Sequence, residues 1–198
     1  MNTVRYVMAL FVLICLPSAF FLWMLIHPFA RFWRKFGFML TYGFLSLPVA
    51  GIILGIVLAR NTLLAVDLGT NHISMLLGLF CLIVAIIMTL QRRKHLSFSI
   101  LAGMPELSNA KYPGELLTDG IYAKIRHPRY VEVVFWLLGF VLFANYLMPY
   151  LFLIPGAPGL YVIILLEEHE LRARFGVEYE EYCRRVPRFV PIRYRKMC

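Results

Sequence analysis

The run HISMLLGLFCLIVAIIMTLQ, residues 72–91, continues for twenty positions without a Lys, Arg, Asp or Glu. A helix rises about 1.5 Å per residue, so this run covers the roughly 30 Å of a bilayer's hydrocarbon core and reads as a transmembrane helix. Working outward, Tyr6 to His27 (YVMALFVLICLPSAFFLWMLIH) and Phe36 to Ala59 are equally free of charge. Val131 to Met148 carries a single acid, Glu132, and Tyr150 to Leu166 forms a fifth apolar run. That fifth run is short and contains Pro155-Gly156-Ala157-Pro158-Gly159, which predicts a kink or a break. The expected fold is an all-α integral membrane protein with about five transmembrane helices, or four plus an irregular hairpin.

Composition agrees. Of 198 residues, 61% are hydrophobic and 16% charged, and mean hydropathy is +0.73. Soluble domains average about 45–50% apolar and about 25% charged residues, which excludes an ordinary soluble or disordered chain. The first run is read as a span and not a cleaved leader: only Arg5 precedes it, it exceeds an apolar region of about 7–15 residues, and no A-x-A site follows.

Five spans put all of the 20 Lys and Arg except Arg5 and Arg60 on one side. They fall as Arg31, Arg34 and Lys35, then a group from Arg92 to Arg129, then one from Arg172 to Lys196. Cytoplasmic loops collect such residues, so the N-terminus is expected outside and the C-terminus in the cytoplasm, in the inner or plasma membrane if the source is bacterial. This alternation explains the net charge of +9 better than a nucleic-acid footprint does, and it suits anionic lipid headgroups. Cys15, Cys81, Cys183 and Cys198 form no C-x-x-C or Cys/His spacing, so neither a metal site nor a disulfide is expected. The C-terminal residues make no prenylation box.

The chain is read as a single membrane domain, 1–198, with three spans in 1–91 and a catalytic portion in 92–198. The latter holds a helical hairpin, 131–166, between two polar stretches, 92–130 and 167–198. A hairpin returns its ends to one membrane face, which sets Leu117 to Tyr130 beside Glu167-Glu168-His169-Glu170. Thr118-Asp119-Gly120 reads as a turn, and Pro128 keeps His127 out of the helix while fitting a helix's first position. Arg126, His127 and Tyr130 therefore cluster at a helix start, either as interfacial anchors or around a polar ligand. Leu171, Phe175, Tyr179 and Tyr182 recur at helical spacing and read as a packing stripe. Glu167 and Glu168 follow seven apolar positions, and carboxylates at the edge of hydrocarbon need a basic or cationic partner. Arg188 sits between Pro187 and Pro191, suited to a carboxylate or phosphate. His27, His72, His95 and His169 read as interfacial or helix-surface residues, and Gly51-x-x-x-Gly55 as a possible helix contact.

Gly120-Ile121-Tyr122, Arg126-His127-Pro128-Arg129-Tyr130, Glu167-Glu168, Phe175-Gly176-x-Glu178-Tyr179-x-Glu181-Tyr182 and Pro187-Arg188-Phe189-Val190-Pro191 together resemble the isoprenylcysteine carboxyl methyltransferases. The wider group takes in phospholipid N-methyltransferases and, more distantly, sterol reductases. The resemblance runs from about Leu116 to Pro191. It implies an S-adenosyl-L-methionine site in which Tyr122, His127, Pro128 and Tyr130 line the cofactor and Glu167 or Glu168 holds its ammonium. It also implies that Glu181 and Arg188 flank the methyl acceptor, with Arg188 gripping a carboxylate. Many members have a small residue soon after the motif tyrosine, where this chain has Val131 and Glu132. The implied activity is carboxyl O-methylation of a prenylcysteine-like, lipophilic or lipidated-cysteine acceptor. The alternatives are a phospholipid amine N-methyltransferase with His127 or Glu181 as base, an NADPH-dependent reductase of the same architecture, and a non-catalytic lipid-binding scaffold.

Overall fold

The computed structural model describes residues 1–26, 28–33, 35–93 and 116–191. His27, Arg34, His95, Lys196, Cys198 and the 94–115 part of the first polar stretch lie outside the described residues. Helix α1 is Asn2–Ile26, α2 is the single turn Ala30–Trp33, α3 is Gly37–Leu63 and α4 is His72–Arg93. A 3-10 turn, Gly120–Ala123, leads into α5, Pro128–Ala144. Then follow α6, Leu147–Phe175, and α7, Val177–Arg185. This is an all-α membrane protein. Helices α1, α3, α4 and α6 are long and apolar enough to cross a bilayer, while α5, at 17 residues, is about 25 Å long and at the lower bound for a span.

The short crossing is thus α5 and not the run at 150–166. No break occurs at residues 155–159; α6 continues through Pro155 and Pro158 for 29 residues. A proline inside a helix forfeits one N–H bond, whereas a broken helix in hydrocarbon strands several backbone groups at a cost of several kcal/mol each. The polar C-terminal segment differs in the opposite sense: it is two helices, because Gly176 adopts φ 53° and ψ −124° between them. That backbone is strained for any residue with a Cβ. Leu171, Phe175, Tyr179 and Tyr182 nonetheless meet in one cluster with Leu116, Cys183 and Val186, so the stripe packs the protein body across the bend.

Helix α1 packs against α3, α5 and α6, and α4 packs along α5. The α4–α5 approach is backbone on backbone. A Cβ on Gly78 would lie 2.8 Å from the Phe143 nitrogen and 2.9 Å from the Gly139 carbonyl. Small residues permit this contact where no hydrophobic drive separates helix from lipid. A Cβ at Gly51 or Gly55 would meet nothing within 4 Å among the described residues.

The end of the bundle away from the polar stretches is tied by Arg5, which is almost wholly buried. It pairs with Asp67 and donates from Nε to the Ala144 carbonyl at 2.9 Å. Asn145 caps α5 in the left-handed region, φ 55°. Its carbonyl accepts from Leu68 N–H at 3.1 Å, and its amide donates to the Gly69 carbonyl at 2.9 Å. One arginine and one asparagine thus fix the α3–α4 loop to the α5–α6 turn, which sets the hairpin's register.

Substituting Gly78 by Ala is expected to cost about 1–3 kcal/mol through overpacking against α5, while Gly55→Ala is neutral or slightly stabilising. Thermal unfolding of both variants in one detergent checks the difference.

Candidate functional site

The α5–α6 hairpin returns the chain to the face where it entered, and His127 and Glu168 meet there. Nε2 of His127 lies 3.0 Å from Oε1 of Glu168; a carboxylate only accepts, so the imidazole donates. His127 is held outside the helix, φ −120° and ψ 55°, as Pro128 opens α5. The Pro187–Arg188 segment is stitched to the same turn by backbone bonds. Arg126 N–H donates to the Pro187 carbonyl at 2.9 Å and His127 N–H to the Arg188 carbonyl at 3.1 Å.

Adjacent helix residues point about 100° apart, so Glu167 and Glu168 cannot share a face. Glu168 is completely buried. Arg188 grips it side-on, Nε to Oε1 at 2.9 Å and Nη2 to Oε2 at 2.8 Å. Arg126 approaches to 3.4 Å and Arg172, one turn on along α6, to 3.3 Å. Tyr161, two turns back on that face, accepts from Arg188 Nη1 at 3.1 Å. Three guanidinium groups thus converge on one carboxylate, leaving net positive charge, and Glu168 raises the proton affinity of Arg188 further. Arg126 also donates to the Cys183 sulfur.

Glu167 differs. Its side chain is 30% exposed, its Oε2 is 4.0 Å from Nδ1 of His127, and that oxygen has no hydrogen-bond partner among the described residues. Tyr122 lies nearby, its carbonyl accepting from the Tyr182 hydroxyl at 2.7 Å. Burial pushes the Tyr122 phenol up to about 12, with Arg92 and Arg129 pulling the other way and Glu167 and Glu132 adding to the rise. Burial likewise raises the phenols of Tyr179 and Tyr182. Tyr130 is buried against Ile163 and Ile164, with Trp23 edge-on at 5.9 Å.

The structure therefore brings together Tyr122, His127, Pro128, Tyr130, Glu167, Glu168 and Arg188. It does not bring Glu181 to them: Glu181 is on the exposed side of α7, away from the face that packs through Tyr179 and Tyr182. His72 and His169 are exposed on their helices. Sequence reasoning missed the ion pair of Arg92 with Glu132, Nε to Oε2 at 2.6 Å, buttressed by Thr89 at 2.8 Å. An acid within one apolar run and an arginine directly after another are a readable signal. So is Glu168 with Arg172 at i,i+4. Among the described residues no three His, Cys, Asp or Glu side chains gather as metal ligands.

Below this cluster, between α1, α5 and α6, runs a cavity of about 560 Å³ lined by apolar side chains, among them Phe11, Leu16, Phe20, Trp136 and Leu160. Trp23, one of its lining residues, meets Tyr130 edge-on, and Phe11, also in the lining, is half exposed.

A model of the family described as "Protein of unknown function (DUF1295)" matches residues 23–186. The chain belongs to this family. This DUF1295 member is 40% identical over 78 residues to a protein-S-isoprenylcysteine O-methyltransferase of Schizosaccharomyces pombe, over 39% of the chain and 33% of that relative. It is 36% identical over 78 residues to protein-S-isoprenylcysteine O-methyltransferase B of Arabidopsis thaliana, over 39% of the chain and 40% of that relative. The match thus spans two fifths or less of the curated relatives' length, and no solved structure matches.

Replacing Glu168 by Gln strands the guanidinium groups around it and is expected to cost about 3–5 kcal/mol. Arg172→Ala, at a side chain 45% exposed, is expected to cost under about 1 kcal/mol. Unfolding midpoints in detergent compare the two.

Proposed function

We propose that the chain is an S-adenosyl-L-methionine-dependent membrane methyltransferase that esterifies the carboxylate of a lipophilic, prenylcysteine-like acceptor. One observation carries this reading: an ionic cluster with surplus positive charge lies across the Tyr130–Trp23 contact from an apolar cavity. An acceptor with an anionic head and a hydrocarbon tail fits both parts. The similarity to two isoprenylcysteine O-methyltransferases supports the same class.

When bound, the cofactor supplies a methyl group on a cationic sulfur. Within this reading Glu167 is the acid that meets the cofactor's ammonium, since its Oε2 is unpartnered. Glu168 is already saturated by cations and acts as a positioning residue that holds Arg188. Tyr122 stays protonated and donates at neutral pH, and His127 and Tyr130 line the cofactor beside Pro128. Arg188 orients the acceptor carboxylate with the Nη1 edge that it shares with Tyr161. A carboxylate acceptor is ionised at neutral pH, so methyl transfer to it would move no proton and would require no base from the chain. Alignment of the pair supplies up to about 7–11 kcal/mol of the barrier. Glu181 has no part in this scheme. The surplus positive charge favours the carboxylate acceptor over the phospholipid amine, which must lose a proton.

Calorimetry of the purified protein in detergent is expected to detect S-adenosylhomocysteine, weakened at least about tenfold by Glu167→Ala, and not NADPH. Preference for NADPH overturns the reading. With a farnesylcysteine acceptor, Arg188→Ala is expected to raise the acceptor KM about tenfold or more while the melting temperature holds, because Glu168 keeps three other partners. Turnover is expected to be flat from about pH 6 to 9; a steep rise with pH signals an amine acceptor instead.

A further inference from the structure

A costly feature left unused is Arg92. It is the penultimate residue of α4, outside the motifs that carry the resemblance, and is only 6% exposed. Its Nε and Nη2 are spent on Glu132 at 2.6 and 3.0 Å, which leaves Nη1 on the opposite corner of the planar group. That nitrogen is buried and has no hydrogen-bond partner among the described residues. A buried charged donor without an acceptor costs more than the 1–3 kcal/mol of a neutral one, and here the second bond of the ion pair does nothing to relieve it.

Glu167 Oε2 is also buried and unpartnered. The two are not remote: α4 packs on the 3-10 turn that carries Tyr122, and the Tyr122 phenol feels both Arg92 and Glu167. They do not pair with one another, and each presents an unmet hydrogen-bonding need of opposite sign among the described residues. A single anion or cation meets one of these needs. A zwitterion with its ammonium and carboxylate on one carbon meets both.

We infer that Arg92 Nη1 and Glu167 Oε2 together form a receptor for an α-amino-acid group, with Arg92 taking the carboxylate and Glu167 the ammonium. This rests on the methyltransferase reading, in which that group is the methionyl end of the cofactor, and assigns Arg92 as a binding residue from the N-terminal half of the chain. Glu132 is then a positioning residue: it fixes the guanidinium plane so that Nη1 faces the ligand.

The test compares S-adenosylmethionine with its decarboxylated analogue by calorimetry in detergent. The wild-type protein is expected to bind the intact molecule at least about tenfold more tightly, the ratio of one charge-assisted hydrogen bond. Removing Arg92 alone strands Glu132, so the variant used is Arg92→Met with Glu132→Leu, which deletes the buried pair as a unit at little cost in stability. Its melting temperature is expected to stay near wild type and its discrimination to fall to about one, while binding of the decarboxylated analogue is unchanged. Arg92→Lys, which keeps a charge for Glu132 and removes Nη1, is expected to lose the same discrimination. Equal binding of both molecules by the wild type, or preference retained in the double variant, overturns the inference and leaves the methyltransferase reading standing. Failure of S-adenosylmethionine itself to bind the wild type overturns both.

Discussion

The site end of the molecule is organised by the burial of one carboxylate. Glu168 lies at the hydrocarbon edge with no exposed surface, and an unpaired charge there is prohibitively costly. Its partners come from three separate pieces of chain: Arg126 and His127 before α5, Arg172 on α6, and Arg188 beyond α7. Each piece shares in balancing the same buried charge. The C-terminal segment, which has little core of its own, is thereby pinned across the mouth of the hairpin, and its backbone bonds to the 126–127 turn complete the closure. This economy also explains why the two adjacent acids divide their work. A helix sends neighbours in different directions, so one is locked in structure and the other is free for a ligand.

The second constraint is the α5–α6 hairpin. Its far end is fixed by the Arg5–Asp67 pair and Asn145, and α4 is clamped to α5 by glycine contact at mid-depth and by Arg92–Glu132 near the site. Both ends of α5 are therefore tied by buried arginines, while its middle relies on shape alone. Polar clamps at the ends and apolar packing between is the arrangement a bilayer permits, since charges are affordable only near the interfaces. The cavity between α1, α5 and α6 lies in that apolar middle and touches the ionic cluster at a single aromatic boundary, Trp23 against Tyr130.

Much of this was legible in residues. Charge-free runs of bilayer length predicted the helices, and Pro128 after His127 marked the start of α5. Hairpin topology alone set His127 beside the paired glutamates. What misled was local propensity: Pro155 and Pro158 suggested a break because the rule comes from water, where a broken helix can be solvated, and in lipid it cannot. The bend at Gly176 is hidden within the stripe, because a packing period of 3.6 survives a bend when both helices face the same core. The ion pairs were hidden for another reason. Sequence shows that Glu132 and Glu168 each need a cation but not which of many arginines is near, and Arg92 becomes the partner only once α4 is known to lie along α5.

Glu132 shows how an acid inside an apolar helix can be compensated. It lies two residues after Tyr130 and adds a buried negative charge to α5. Arg92 neutralises it, and the pair fills the volume with a rigid planar group instead of leaving space. The cost is a buried arginine nitrogen without a hydrogen-bond partner among the described residues, and Oε2 of Glu167 is in the same condition. Two unmet needs of opposite sign would be a defect if nothing ever satisfied them, since each subtracts from the stability of the ligand-free chain. They become an advantage when a ligand brings both charges at once: the ligand relieves both penalties together, so the free energy withheld from folding returns as binding selectivity for the zwitterion.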